Sequence, residues 1–296
     1  EFSDYNFEGS GLSAILDVLA YNTHYLAMNA NFAANEMFLD SSSLRNSVVS
    51  HAKTLGYTPR SARAPLANLD ITVSNGSLSS LTINKGQKFT TSIGGTSYGF
   101  VVNEDVTATQ TNGLIIFGNL PVYEGTLVTT KYTVDSNDPE KKYLITSNRA
   151  DTTTLKVSVQ ASSSDNTIEA YSLADEITNV TGTDRKYFLQ EVEDGKFEVY
   201  FGDNVIGKKP IDGNIIILEY VVTNKEAANG ASSFNSTSIS GQSNIAVSTI
   251  SAATGGAEPE TIRSIKYNAP LSYTAQKRAV TAYDYKTILP SIYPNI

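Results

Sequence analysis

The stretch LSAILDVLAYNTHYLAMNANFAANEM, which runs from Leu12 to Met37, contains neither proline nor glycine and is rich in Ala, Leu, Met and Asn. A run of this kind without a helix breaker predicts one continuous helix, which we expect to extend from Leu12 to Leu39. At 1.5 Å per residue the helix would be about 40 Å long, well above the usual length of a helix in a globular protein.

One stripe of this predicted helix has the spacing of a coiled-coil seam, because its members follow at alternating steps of four and three residues. The members are Leu12, Leu16, Leu19, Thr23, Leu26, Ala30, Ala33 and Met37. We interpret the stripe as a contact for partner helices, with small residues that allow a close approach. The alternative is an ordinary helical hairpin packed within the chain. A second stripe, Ile15, Asn22, Tyr25, Asn29 and Phe32, predicts a further neighbour.

The rest of the chain changes pattern twice. A second, short helix is expected from Leu44 to Leu55, with Gly56 after its end and a fresh cap in the serines before it. Alternating apolar residues then predict strands, with a hairpin at Asp194-Gly195 and a central strand at Ile215 to Val222. Beyond Gly255 we expect two more helices, one with Pro259 in its first turn and one ending at Leu289.

These patterns predict an α+β fold with three regions. Residues 1–65 would hold the long and the short helix. Residues 66–254 would form one or two mainly antiparallel β-domains of sandwich or barrel type. Residues 255–296 would form short helices that begin a further, incomplete α/β domain. We expect both ends of the sequence to be cut within a longer protein.

The composition argues against several classes of protein. The formal net charge is −8, which does not suit a surface for nucleic acid or for anionic lipid. No apolar run approaches the ~20 residues that a membrane span needs. Because the chain has no cysteine, disulfides, thiolate metal sites and cysteine nucleophiles are excluded. We therefore expect neither nucleic acid nor a membrane as a partner.

No group of residues predicts a catalytic, metal or cofactor site. His24 and His51 lie on predicted helices without the spacing of a metal motif. Asp194, Glu198 and Asp203 could pair as acids for sugar hydrolysis, but turn chemistry explains them better. We predict that the chain is not an enzyme and binds no cofactor.

A small basic cluster lies at the predicted helix-to-strand linker, where Arg60 and Arg63 follow Lys53. Charged side chains in a linker are usually solvated. A salt-bridged contact of Arg60 and Arg63 to an acidic partner is the alternative interpretation.

Motifs in all three regions follow one another in a characteristic order. They are Tyr5-Asn6-Phe7-Glu8-Gly9-Ser10, Leu19-Ala20-Tyr21-Asn22-Thr23, Leu44-Arg45-Asn46-Ser47-Val48-Val49, Leu55-Gly56-Tyr57-Thr58-Pro59, Phe201-Gly202-Asp203, Ala228-Asn229-Gly230, Gly255-Gly256-Ala257-Glu258-Pro259-Glu260 and Ala279-Val280-Thr281-Ala282-Tyr283-Asp284-Tyr285. The ordered set resembles the baseplate wedge subunit of T-even-type myophages and is similar to the wider baseplate J family.

The resemblance implies a structural subunit of a contractile phage tail, located in the virion baseplate and assembled in the host cytoplasm. It implies that the N-terminal helices of two copies join another wedge protein in a three-helix core bundle. Contacts with sheath-initiating and hub-proximal baseplate proteins are also implied. Six wedges would form an inner ring around the hub that couples the fibre signal to sheath contraction. The dimerising C-terminal part of the family is expected beyond Ile296.

A different class of function stays open on the residues alone. A β-rich, fibre- or adhesin-like module could bind host glycans through aromatic side chains exposed on loops. The candidates for such contacts are Tyr98, Tyr123, Tyr171 and Tyr273.

Overall fold

The computed structural model describes residues 11–75, 77–138, 141–174, 179–275, 281–282, 285–286 and 289. The chain divides into two compact units. The helical unit holds the described parts of Glu1–Tyr57 and Ile262–Gln276, and the β unit holds those of Thr58–Thr261 and Lys277–Ile296. The expected α+β architecture is confirmed. The division into three regions at residues 65 and 254 stays a prediction.

The described helices of the helical unit are α1 (Gly11–Asn35), α2 (Arg45–Thr54) and α3 (Ile262–Ala275). Val48 and Ala52 lie four residues apart on one face of α2, so both reach the same neighbour. That neighbour is α3, whose Ile265 and Ala269 complete a small buried cluster with them. Gly56 ends this segment with a φ of 72°, as expected for a glycine after a helix.

The prediction that α1 continues to Leu39 is wrong, because α1 ends at Asn35. The carbonyl oxygen of Asn35 accepts a hydrogen bond from the Ser41 hydroxyl at 2.6 Å. The carbonyl oxygen of Glu36 accepts one from Nε2 of His51 at 2.9 Å. Side chains from the following segment therefore take the acceptors that a longer helix would have used.

The expected serine cap of α2 is also wrong, since Leu44 occupies the cap position without a side-chain hydrogen bond. The Glu36 carboxylate takes over this role and accepts hydrogen bonds from the Ser43 amide and hydroxyl, both at 2.7 Å. The Ser43 amide contributes most to lowering the pKa of Glu36 to about 2, and the hydroxyls of Ser47 and Ser43 add to it. One carboxylate thus joins the end of α1 to the start of α2.

The C-terminal helices were predicted less well. Pro259 precedes α3 instead of lying in its first turn, and Pro270 lies inside the helix. The helix expected to end at Leu289 falls in a segment of which only residues 281–282, 285–286 and 289 are described.

The β unit contains fourteen strands within its described residues. They are β1 (Leu66–Ser74), β2 (Ser80–Ile83), β3 (Lys88–Ile93), β4 (Thr96–Val101), β5 (Val106–Thr111), β6 (Leu114–Glu124), β7 (Thr126–Thr133), β8 (Tyr143–Ile145), β9 (Ala150–Gln160), β10 (Ile168–Leu173), β11 (Lys186–Glu191), β12 (Phe197–Phe201), β13 (Ile215–Val222) and β14 (Ile245–Thr254).

The first sheet has the strand order β14-β1-β6-β4-β3, and β5 joins β2 to β6. Its pairs are antiparallel, as predicted. The alternation of Leu69, Ile71 and Val73 places these three side chains of β1 on one buried face. Phe89 of β3 and Phe100 of β4 belong to the same core.

The second sheet has the order β7-β13-β9-β10-β11-β12-β8, and β13 is a central strand as predicted. The hairpin at Asp194-Gly195 is also confirmed, with Asp194 at a φ of 60° between β11 and β12. The one parallel pair of the described strands, β10 with β11, was not predicted. The sheet curls towards a barrel, because the Tyr132 hydroxyl of edge strand β7 donates to the Leu144 carbonyl of edge strand β8 at 2.8 Å.

The two sheets are joined where β6 runs directly into β7. Gly125 makes this passage with a φ of 123°, and a Cβ at this position would lie 2.1 Å from the Val222 carbonyl oxygen. The neighbouring Glu124 is fully buried. Its carboxylate accepts hydrogen bonds from the Thr223 hydroxyl at 2.7 Å and from the Asn224 amide nitrogens at 2.8 and 2.7 Å. This junction therefore fastens the first sheet to β13 of the second.

Candidate assembly surface on the first helix

None of the residues of α1 is buried by the described part of the chain. The four leucines of the predicted seam are between 43% exposed, at Leu12, and 63% exposed, at Leu26. Thr23, Ala30 and Ala33 are exposed as well, and Met37 is exposed in the turns that follow the helix. Large aliphatic side chains rarely stay exposed together along a whole helix unless another surface covers them.

The seam residues within α1 form one continuous stripe. Successive residues of a helix are rotated by about 100°, so Leu12 to Ala33 of this set fall within an arc of about 100°. Thr23 is the polar member of the stripe, and its hydroxyl already donates to the Leu19 carbonyl at 2.8 Å. A partner helix could therefore cover Thr23 without leaving a buried donor unpaired.

A second apolar face lies about 150° around the helix from the seam. It consists of Val18, Tyr21, Tyr25, Met28 and Phe32, which also follow at steps of three and four. All five are exposed, and the rings of Tyr21 and Tyr25 contact each other with centroids 5.3 Å apart. This face shares Tyr25 and Phe32 with the second stripe predicted from the sequence.

Polar residues separate the two apolar faces. Asn22 and Asn29, which the sequence placed in the second stripe, lie on one border between the faces. Asp17, His24 and Asn31 lie on the opposite border, and Asp17 is the one Asp, Glu, Lys or Arg of α1. Helix α1 thus presents two separate, nearly uncharged surfaces. None of the helices described by the structure is long and apolar enough to cross a membrane.

The predicted basic contact residues both have interactions inside the β unit. The Nε atom of Arg60 lies 3.9 Å from the Glu260 carboxylate, which also accepts the Arg60 amide at 3.1 Å. Arg63 forms a backbone bridge with Ala257, and burial lowers the pKa of its guanidinium while the nearby Asp151 opposes this shift. Their contact with an acidic partner stays a prediction.

The acidic residues considered for hydrolysis have local structural roles. The Asp203 carboxylate accepts the amides of Val205 and Ile206 at 2.9 and 3.0 Å, and these bonds lower its pKa. A general acid needs a raised pKa, so this environment acts in the opposite direction. Glu198 accepts a hydrogen bond from the Gln190 side chain. In the described segments, no group of three or more His, Cys, Asp or Glu residues could hold a metal ion.

The tyrosines considered for glycan binding do not form an exposed loop cluster. Tyr98, Tyr123 and Tyr171 lie on strands, and each is partly or fully buried. Tyr273 is exposed, but it lies on α3.

The β unit has its own cores, and the same chain exposes two apolar faces on a helix. This combination is more typical of a structural assembly protein than of an enzyme or a receptor-binding module. Comparison with known proteins agrees with this class. Residues 1–57 match the family described as baseplate wedge protein gp6-like, helical domain.

The chain is 31% identical to baseplate wedge protein gp6 of Enterobacteria phage T4 over an alignment of 325 positions, which covers 100% of this chain and 48% of that protein. The cryo-EM structure of the anti-feeding prophage (AFP) baseplate, 6-fold symmetrised, is similar at a TM-score of 0.31 and 13% identity, over 99% of this chain and 59% of that chain. This likeness is too weak to add to the assignment. The chain is a partial-length relative of the gp6-like baseplate wedge proteins, which confirms the resemblance.

Proposed function

We propose that this chain is a subunit of a contractile-tail baseplate wedge whose helix α1 packs, through its leucine seam, in a core bundle with a second copy and another wedge protein. The observation that supports the proposal is the exposure of the whole seam in a helix without a buried residue. The match of residues 1–57 to the helical domain of the gp6-like family supports the same assignment.

The seam offers enough apolar surface to hold a bundle together. Fully burying a leucine side chain contributes about 1.5–3 kcal/mol. Because Leu12, Leu16, Leu19 and Leu26 are roughly half exposed, covering each of them would contribute about 1 kcal/mol. The small side chains of Ala30 and Ala33 would let partner helices approach closely near the C-terminal end of α1.

The wider role follows from the place of such a subunit in a wedge. Six wedges linked through these subunits would form the inner baseplate ring around the hub. Contacts with sheath-initiating and hub-proximal proteins would let the ring couple the fibre signal to sheath contraction. The second apolar face of α1 supports this role, because a helix inside a bundle still needs a surface for a further neighbour.

A paired charge substitution tests the seam directly. We expect the double variant Leu16→Asp, Leu19→Asp to lose association with the co-expressed wedge protein by at least about a hundredfold, because two carboxylates would be buried without partners. The measurement is co-purification of the wedge protein with the full chain. Circular dichroism of the same sample should show the strand signal of the β unit unchanged.

The matched control places the same two charges on the polar border of the same helix. Asn31→Asp with Asn35→Asp changes the net charge equally and leaves the seam intact. This control should co-purify like the unchanged chain. Normal co-purification of the seam variant, or an equal loss in the control, would contradict the proposal.

A further inference from the structure

Strand β14 is an outer strand of the first sheet, and one of its two edges is unpaired over half of its length. The Ser74 amide donates to the Asn244 carbonyl at 3.1 Å, which shows that residue 244 faces β1. Because hydrogen-bonding direction alternates along an antiparallel strand, the backbone groups of Ile245, Val247 and Thr249 point away from β1. In the part of the chain that the structure describes, no residue is hydrogen-bonded to these outward groups.

The other sheet edges carry the protection that natural edges usually have. In β3, Thr90 is paired on its outer side with Asn235. Strand β7 carries Lys131, strand β2 has only four residues, and the three-residue β8 follows Lys141 and Lys142.

Residues 245–249 of strand β14 have none of these features, whereas Ala253 further along the strand is paired on its outer side with Gly230 and Ala231. The strand sequence IAVSTISAAT contains no charged residue and no proline. The neutral stretch is much longer than the strand, since no Asp, Glu, Lys, Arg or His occurs between Glu226 and Glu258. From Ile245 to Thr249 the strand pairs with β1 without a register shift, and an uncharged, regular edge of this kind is a template for another strand.

We propose that this edge pairs with the same edge of a second copy of the chain, antiparallel, about a twofold axis at Val247. Ile245 would then lie opposite Thr249 of the second copy, and Val247 opposite its own counterpart. Thr249 would likewise lie opposite Ile245 of the second copy. These three pairs exchange two backbone hydrogen bonds each, about six in total. The interface is isologous, so one strand supplies both halves.

Neutrality is what favours a second copy over another partner. Near a twofold axis every charged side chain meets its own like charge, and this chain carries a net charge of −8. Strand β14 avoids this repulsion because it has no charge. The side chains of Ile245 and Val247 pack against the core of the first sheet, so pairing would continue that apolar layer into the second copy. The α1 seam takes no part, and the proposal does not depend on the bundle.

The register can be tested by disulfide formation, because the chain has no cysteine of its own. In the proposed pairing Ala246 lies directly opposite Ser248 of the second copy, with Cα atoms about 4.5 Å apart, within the range of a disulfide. Two Ala246→Cys chains would hold their cysteines about 8 Å apart, which a disulfide does not span. Both positions are exposed, so the substitutions should leave the fold intact.

The experiment mixes Ala246→Cys and Ser248→Cys chains under mild oxidation. We expect a covalent dimer that contains one chain of each kind, and none when either variant is oxidised alone. Association through α1 could bring chains together, but it would not select this pair of positions. Absence of the mixed dimer, or equal dimer yields from the single variants, would overturn the proposal.

A second measurement removes the outward hydrogen bond itself. Thr249→Pro deletes an N–H that points away from β1, a place where an edge strand tolerates proline. Added to both cysteine variants, it should lower the yield of the mixed dimer about tenfold. Thr249→Val keeps the N–H and the side-chain shape, so it should leave the yield unchanged. An unchanged yield with Thr249→Pro would also count against the pairing.

Discussion

Replacing Gly125 by alanine should destabilise the β unit by about 4–6 kcal/mol, whereas the same change at Gly213 should cost about 1–2 kcal/mol. Both glycines have a positive φ, 123° and 79°, so both variants incur backbone strain. The added methyl group of Gly213→Ala meets nothing within 4 Å. At Gly125 it would lie 2.1 Å from the Val222 carbonyl oxygen, and no side-chain rotation can relieve an overlap with backbone.

The additional cost at Gly125 comes from the junction that must open to admit the methyl group. Thr126 pairs with Val222 at the start of the β7–β13 ladder, and Glu124 holds the next two residues after Val222. Moving these strands apart weakens several buried hydrogen bonds at about 1 kcal/mol each.

Thermal unfolding followed by circular dichroism measures the difference between the two variants. For a unit of this size each 1 kcal/mol lowers the melting temperature by about 2–4 °C, so Gly125→Ala should melt about 10–20 °C below the unchanged chain. Gly213→Ala should melt only a few degrees lower. Equal melting temperatures for the two variants would refute the close approach at Gly125 as the reason for the glycine.

Two further predictions concern carboxylates. Glu124→Ala should lower the free energy of unfolding by about 3 kcal/mol, because the hydroxyl of Thr223 and the amides of Asn224 lose their acceptor. Glu124→Gln should cost about half of that, because it keeps one oxygen. Equal losses of stability for the two variants in urea unfolding would contradict this role of Glu124. Glu36 should titrate near pH 2 in an NMR pH series, because hydrogen bonds, above all from the Ser43 amide, lower its pKa from 4.5 to about 2. The contribution of Glu36 to stability is complete above pH 4.5 and is lost as the pH falls through about 2. A titration midpoint near 4.5 would show that the hydrogen bonds from the start of α2 to Glu36 are absent.

The parts of the fold that depend on local pattern could be predicted from the sequence. Strand β1 follows from the alternation of Leu69, Ile71 and Val73, and strand β13 from its continuous apolar run. The end of α1 could not be predicted, because Ser41 and His51 reach back to its last carbonyl groups. The need for glycine at Gly125 likewise arises from a strand far along the chain.

The candidate surface was predicted in part. The steps of four and three identified the seam, and the structure places all of its residues at the exposed surface. Whether partner helices cover them stays a prediction. The second face has the same spacing, beginning at Val18, and shares Tyr25 and Phe32 with the second stripe predicted from the sequence.

The distribution of apolar surface separates folding from assembly in this chain. The β unit buries its own aliphatic and aromatic residues, and the contacts of Glu124 and Gly125 hold its two sheets together. Helix α1 contributes no buried residue, and most of the stability of a helix in a protein comes from packing of its apolar face against neighbours. Its two faces lie about 150° apart, so a neighbour on one face leaves the other face accessible. If partner helices cover the seam, as proposed, a substitution there should remove that contact while leaving the β unit and the second face of α1 intact.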